Sequence, residues 1–177
     1  MNDVLLVAYH AEATAAFVLE ELRRTTTGPA TDILSAASVR IDADRRFTVT
    51  TTDWPGSGDP FWGVLWEAFF GMVFLVPERG CSYGANLGGL FGAIDRAGLN
   101  QHVRTQIRDV LEPQTSGLGI LLGSASTDVA TALRNSPAIA VIEASLTLDP
   151  TSELGSELGV STPTTFNLPA PHGARNG

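Results

Sequence analysis

The residue types that most often perform chemistry in proteins are few in this chain and far apart. His10, His102 and His172 show neither E-x-x-H nor H-x-x-x-H spacing, so the sequence predicts no metal site. Cys81 is the single cysteine, has no nearby histidine in sequence and is typical of a small buried residue. We therefore expect no catalytic residue, no metal ligand and no cofactor.

Two acidic pairs and one glycine-rich motif are the remaining candidates for chemistry. Glu20 and Glu21 have the spacing of a solvated helix face, and Asp42 and Asp44 that of a turn, so neither pair is marked for acid–base work. The motif GANLGG, from residue 84, lacks the Lys-Ser/Thr that contacts phosphate in a P-loop. The sequence predicts that the protein is not an enzyme.

The charge distribution argues against two classes of partner. The net charge is −8, and the 11 basic residues are all arginines with no cluster longer than a pair. A nucleic-acid footprint and a basic lipid anchor both need clustered positive charge, so neither is expected. One cysteine excludes an internal disulfide, and the chain does not start with a cationic and then apolar signal, so we expect a cytoplasmic protein.

The most unusual feature is an apolar segment at residues 61–94, FWGVLWEAFFGMVFLVPERGCSYGANLGGLFGAI. Its first helix, predicted over 61–76, is apolar on every side except at Glu67 and must be buried all round. Sixteen helical residues span roughly 24 Å, short of the ~30 Å hydrocarbon layer of a membrane. A charge at the bilayer centre costs about 2.5–3.5 kcal/mol or more, so we expect Glu67 to face a partner helix, a cavity or water.

A second helix is predicted over 80–94, where glycine recurs at every fourth position. These residues are Gly80, Gly84, Gly88 and Gly92. Glycine costs about 1 kcal/mol relative to alanine inside a helix, so four in register need an explanation. Close packing of another helix along the glycine face provides one.

Short apolar runs and helical periodicities predict the elements around this segment. Strands are expected at 3–9, 33–41, 46–53, 117–124 and 138–148, and amphipathic helices at 12–24, 99–111 and 126–134. Two β-α-β units with an extra hairpin strand are typical of a ferredoxin-like α+β sandwich with helices on one sheet face. This domain would comprise residues 1–53 and 114–149, with 54–113 an insertion carrying the glycine-zipper hairpin and an amphipathic helix, and 150–177 a disordered tail.

Several of these features together resemble one bacterial family, domain of unknown function 1269. The similarity lies in the FWG opening and the FLVP end of the first apolar helix, the glycine-spaced helix, LEP at 111–113, Ser126 to Leu133, and Ser145-Leu146. It covers roughly residues 3–149. The resemblance implies a predicted membrane protein and no known activity, although Glu67 replaces an apolar residue and the tail after Leu148 differs.

Four environments would bury the apolar segment: neighbouring copies of the chain, one leaflet of a membrane, the chain's own domain, or a different protein. We favour neighbouring copies, because glycine-mediated packing and all-round hydrophobicity both require adjacent helices. The predicted oligomer or membrane interface consists of Phe61, Trp62, Trp66, Glu67, Phe69, Phe70, Phe74, Gly80, Gly84, Gly88 and Gly92.

The expected function is that of a structural scaffold that forms homo-oligomers through the hairpin. Five of the eight Phe and all three Trp lie between Trp54 and Phe91, so the bundle could enclose a lipophilic molecule such as a lipid or quinone, as an accessory subunit of a larger complex. The alternative is a peripheral membrane protein at the inner face of the cell membrane, with a stress-related role and its tryptophans at the interface.

Overall fold

A computed structural model of the chain describes residues 2–26, 33–52, 61–75, 92–123 and 127–146. The strands are β1 (Asn2–Tyr9), β2 (Ile33–Ile41), β3 (Phe47–Thr52), β4 (Ser116–Leu122) and β5 (Ala140–Leu146), and the helices are α1 (Thr14–Thr25), α2 (Phe61–Leu75), α3 (Gln101–Val110) and α4 (Thr127–Arg134). Residues 92–96 are also helical. This is the mixed helix and strand content that the sequence predicts.

The five strands form one antiparallel sheet in the order β3-β2-β4-β1-β5. Three strands are interior: β2 pairs with β3 and β4, β4 pairs with β2 and β1, and β1 pairs with β4 and β5. Val4 of β1 lies opposite Leu121 of β4, and every residue of β4 is buried. A central strand that is apolar at consecutive positions must be covered on both faces, as the run DVLLVAY indicates.

Helices cover both faces of this sheet. On the first face, α1 and α4 pack over Leu5, Val7 and Tyr9 of β1. On the second face, α2, the residues 92–99 and α3 pack over the alternate side chains of β1. The prediction of helices on one face alone is wrong, because the segment predicted as an insertion supplies the second layer.

A buried serine on β4 fixes the start of α1. Ala13 makes no side-chain cap, and Ser116, 1% exposed, takes that role from across the sheet. Its Oγ accepts a hydrogen bond from the Ala15 N–H at 3.0 Å and donates to the Ala11 carbonyl at 2.6 Å. One hydroxyl therefore satisfies a free N–H at the helix N-terminus and a loop carbonyl.

The turn between β2 and β3 is built by Asp42. Its Oδ1 accepts from the backbone N–H groups of Asp44 and Arg46, each at 2.9 Å, and Arg45 has φ 63°. This is the local side-chain-to-backbone bonding that makes aspartate common in turns. The Asp42 carboxylate of this acidic pair thus stabilises the turn, at the position where the sequence predicts one.

Candidate functional site

The inner side of α2 is buried in the core of its own chain. Trp66, Phe69 and Phe70 are each at most 1% exposed, and they face β2, β3 and α3. We expected these three side chains to meet neighbouring copies or lipid. The structure instead places them against their own sheet, so the alternative in which the segment folds onto its own domain describes this side of the helix.

The aromatic side chains of α2 form a continuous cluster. Trp66 stacks on Phe70 with ring centroids 5.9 Å apart, and Phe70 stacks on Phe74 at 6.5 Å. Phe47 of β3 extends the cluster, with its ring centroid 5.1 Å from that of Phe74. The indole N–H of Trp66 donates to the buried Oγ of Ser35 at 3.0 Å. The polar atom of the largest core side chain is therefore satisfied, as burial requires.

Two glycines in β4 allow close packing on the strand, and Gly119 is the one that makes room for α2. A Cβ built on Gly119 would lie 2.5 Å from Cζ3 and 2.8 Å from Cη2 of Trp66. A Cβ on Gly117 would lie 2.9 Å from Cγ1 of Val39. Both positions belong to the motif GLG in a buried strand, and glycine inside a strand often marks a close approach. The motif is a sequence signal that a bulky side chain approaches this strand, but it does not say which one.

Arg108 of α3 holds the C-terminal end of α2. Its Nε donates to the Val73 carbonyl at 2.8 Å. The carbonyls of the last helical turn have no partner within the helix, so a donor from a neighbouring helix stabilises this end. The hydrogen bond fixes α2 relative to α3, and the side of α2 opposite its buried aromatic residues is its outer side.

That outer side carries a row of residues at every fourth position, namely Gly63, Glu67 and Gly71. We call this row the outer row of α2. Among the described residues, a Cβ on Gly71 would meet no atom within 4 Å, whereas a Cβ on Gly63 would lie 3.7 Å from Oγ1 of Thr51, so the first position of the row borders β3. The Glu67 side chain is exposed. The sequence predicts that Glu67 faces a partner helix, a cavity or water. In the single chain it faces water.

Part of the predicted interface lies outside the described residues. This applies to Gly80, Gly84, Gly88 and to the side chains of Phe61 and Trp62; the same holds for Trp54, Cys81, His172 and the tail. Phe74 is partly buried within the aromatic cluster. Gly92 lies in the helical residues before α3, and a Cβ there would be 3.2 Å from Nη1 of Arg96.

A small, partly open cleft of about 10 Å³, room for about one water molecule, lies between α3 and the sheet. Its lining among the described residues is apolar and includes Leu6, Phe70, Ile107, Val110 and Ile142. These walls offer apolar contact and no acid–base or nucleophilic group. The cleft adjoins the aromatic cluster through Phe70.

The titratable groups of the described residues are dispersed. Burial raises the pKa of the Tyr9 phenol, opposed in part by a contact with the Ser136 hydroxyl at 3.5 Å. On the surface, the hydrogen bond from Arg134 lowers the pKa of Glu143. Within the described ranges, no three His, Cys, Asp or Glu side chains are grouped as metal ligands would be. The geometry there supports packing and contains no assembled chemical site.

The described helices also bear on membrane association. α2 is the most apolar of them and has 15 residues. None of the helices in the described part of the chain has both the length and the apolar character needed to cross a membrane.

The protein has mixed helix and strand content. Its core is a five-stranded antiparallel sheet with helices packed on both faces, and the apolar helix α2 belongs to the second face. The family model described as "Protein of unknown function (DUF1269)" matches residues 60–159. The chain belongs to this family, which confirms the resemblance found in the sequence. The matched region begins immediately before α2 and extends past β5. No curated protein and no solved structure matched the chain.

Proposed function

We propose that this chain is a non-enzymatic structural protein that self-associates through the outer row of α2 and the glycine-spaced segment that follows it. The observation that carries the proposal is that, within the described part of the chain, a Cβ on Gly71 would meet no atom, while the aromatic side of the same helix is buried. Glycines on one side of a helix allow a second helix to approach closely. Glu67 lies between the two glycines of the row, so its carboxylate would have to extend past the partner helix to reach water.

The strand pairing supports a ferredoxin-like assignment for the domain that carries this helix. Without β3, the strands follow the order β2-β4-β1-β5, and α1 and α4 connect strands that are not neighbours. This is the arrangement of two split β-α-β units. The domain would then remain outside the contact between copies and be available to bind other proteins.

The test is a substitution that fills the outer row without touching the core. Since a Cβ at Gly71 meets no atom of the described residues, Gly71→Leu should preserve the fold and gain about 0.8 kcal/mol of helix propensity. If copies pack along the row, the same leucine should displace the partner helix. We expect the full-length chain in detergent-free buffer to form a defined oligomer, and Gly71→Leu to form a smaller species, by light scattering after size-exclusion chromatography.

The matched control is Ala16→Leu, because Ala16 is exposed on α1, on the other face of the sheet. It should leave the oligomer unchanged. A wild-type chain that is monomeric, or an oligomer indifferent to Gly71→Leu, would contradict the proposal. Recovery of the wild type only with membrane vesicles would instead support the alternative, an anchor in one leaflet. Deleting residues 54–97 would also remove the proposed contact surface. It is not a suitable test, because it would remove the buried core side chains of α2 as well.

We also propose that the assembly holds a lipophilic molecule. The aromatic residues support this, because five of the eight Phe and all three Trp lie between Trp54 and Phe91, and copies that join these segments would enclose apolar surface between them. The cleft of the single chain has room for about one water molecule and is not itself the site. Organic extraction of the purified protein, followed by mass spectrometry, should yield a lipid or quinone in a fixed ratio to the chain. An extract without such a species would remove the proposal's support.

A further inference from the structure

A carboxylate occupies the middle position of the outer row of α2. Glu67 is the only charged residue among the 15 of this helix, and Gly63 and Gly71 lie one turn away on either side of it. Glycine has no side chain, so neither neighbour in the row can shield the charge or pair with it. Among the described residues of α2, Glu67 is also the only one that is exposed. The single chain therefore keeps this carboxylate in water.

The described part of the chain offers Glu67 no counter-charge. The elements that pack against α2 are β2, β3 and α3. Strand β3 has no titratable side chain; those of the other elements and of the helical residues 92–96 are Arg40, Asp95, Arg96, His102, Arg104, Arg108 and Asp109. None of these forms an ion pair or hydrogen bond with Glu67. Arg79, which follows α2 in the sequence, lies outside the described residues.

A contact between two copies along the outer row would bring Glu67 into its centre. A two-fold contact uses the same surface on both copies, so the middle of one row meets the middle of the other. Glu67 would then face Glu67 of the second copy, and two adjacent carboxylates favour a state in which one is protonated. If the partner helix is shifted along the row, Glu67 instead meets apolar side chains, and the loss of water again favours the neutral carboxyl. Both registers favour the uptake of a proton.

We propose that protonation of Glu67 regulates self-association through the outer row of α2, which strengthens as the pH falls. This inference rests on the proposed function, because it requires a second copy on the same row. One proton taken up per contact lowers the dissociation constant about tenfold per pH unit, over the range in which the carboxyl is protonated only in the assembly. At higher pH the charged carboxylates keep the copies apart.

The test compares two variants that each remove one negative charge. Glu67→Gln imitates the neutral carboxyl within the row, whereas Glu21→Gln removes a charge from α1, on the other face of the sheet. Both positions are exposed in the single chain, so both variants should fold. Analytical ultracentrifugation of the full chain, from about pH 8 to about pH 5.5, measures the dissociation constants. This range stays above the isoelectric point of about 4.7, and EDTA in every buffer prevents a divalent cation from bridging the carboxylates.

The wild type and Glu21→Gln should associate more tightly as the pH falls, with a dissociation constant about tenfold lower or more at the acidic end. Glu67→Gln should associate at the alkaline end as tightly as the wild type does at the acidic end, and depend little on pH. The control is needed because the net charge of −8 also shrinks as the pH falls, in all three proteins alike.

Three results would overturn the inference. A pH dependence that is absent, or equal in Glu67→Gln and Glu21→Gln, would leave self-association in place but show that Glu67 takes up no proton. Association that weakens as the pH falls would show that the charged carboxylate is paired with a cation such as an arginine of the second copy. Three proteins that remain monomeric at every pH would overturn the proposed function and this inference together.

Discussion

Replacing Trp66 by alanine is expected to lower the free energy of unfolding by about 3–5 kcal/mol, as truncation of a fully buried aromatic residue does. Trp66 is 1% exposed, contacts Phe69 and Phe70, and donates its indole N–H to Ser35. The substitution leaves a cavity against Gly119 and a buried serine hydroxyl without its donor. Urea unfolding of both proteins, followed by circular dichroism at one protein concentration, measures the difference.

The matched control is Phe17→Ala on α1. Phe17 is also an aromatic residue on a helix that packs on the sheet, but it is 70% exposed. Its removal should change the free energy of unfolding by no more than about 0.5 kcal/mol. A Trp66→Ala effect as small as that of Phe17→Ala would mean that α2 does not rest on the sheet in solution, and that the segment is held by lipid or by another chain.

The sequence alone predicts the elements of this fold well, because each rests on a local pattern. The run DVLLVAY predicts a buried central strand, and β1 is buried from Val4 to Tyr9. Glu67 is the one polar position in the pattern of α2, and it is the exposed one. The motif DADR predicts the turn that Asp42 builds with its own carboxylate.

The partner of α2 could not be predicted in the same way. A helix that is apolar on nearly every side has no polar face to show which way it points, so the pattern fits a bundle, a bilayer or a sheet equally well. The deciding residue, Gly119, lies on a strand remote in sequence from Trp66. Which side chain fills the space above it depends on a tertiary contact that no local pattern contains.

The exposure of the outer row of α2 could not be predicted from the sequence either. Spacing of four between Gly63, Glu67 and Gly71 places them on one side of the helix, and this follows from helical geometry alone. That side faces solvent only if the aromatic residues on the opposite side pack on the sheet. The space above Gly119 allows this packing, because it accommodates the Trp66 ring. The candidate interface is therefore a consequence of how the core is packed.

That dependence leads to a prediction for Gly119→Ala. The added methyl group would lie 2.5 Å from the Trp66 ring, so the ring must move away from the sheet and from Ser35. Overpacking of a core costs about 1–3 kcal/mol, against which the smaller backbone entropy of unfolded alanine recovers at most about 1 kcal/mol. We expect a net destabilisation of about 1–2 kcal/mol by urea unfolding.

A double-mutant cycle with Trp66→Leu separates this contact from any general intolerance of β4. The leucine side chain is smaller than the indole and leaves space above Gly119, so Gly119→Ala should cost less in the Trp66→Leu background than in the wild type. The coupling expected for two residues in direct contact is about 1–2 kcal/mol. An additive cycle would show that the methyl group is excluded by the backbone of the strand. A coupled cycle would establish that Gly119 positions Trp66, and through it orients the outer row of α2 toward solvent.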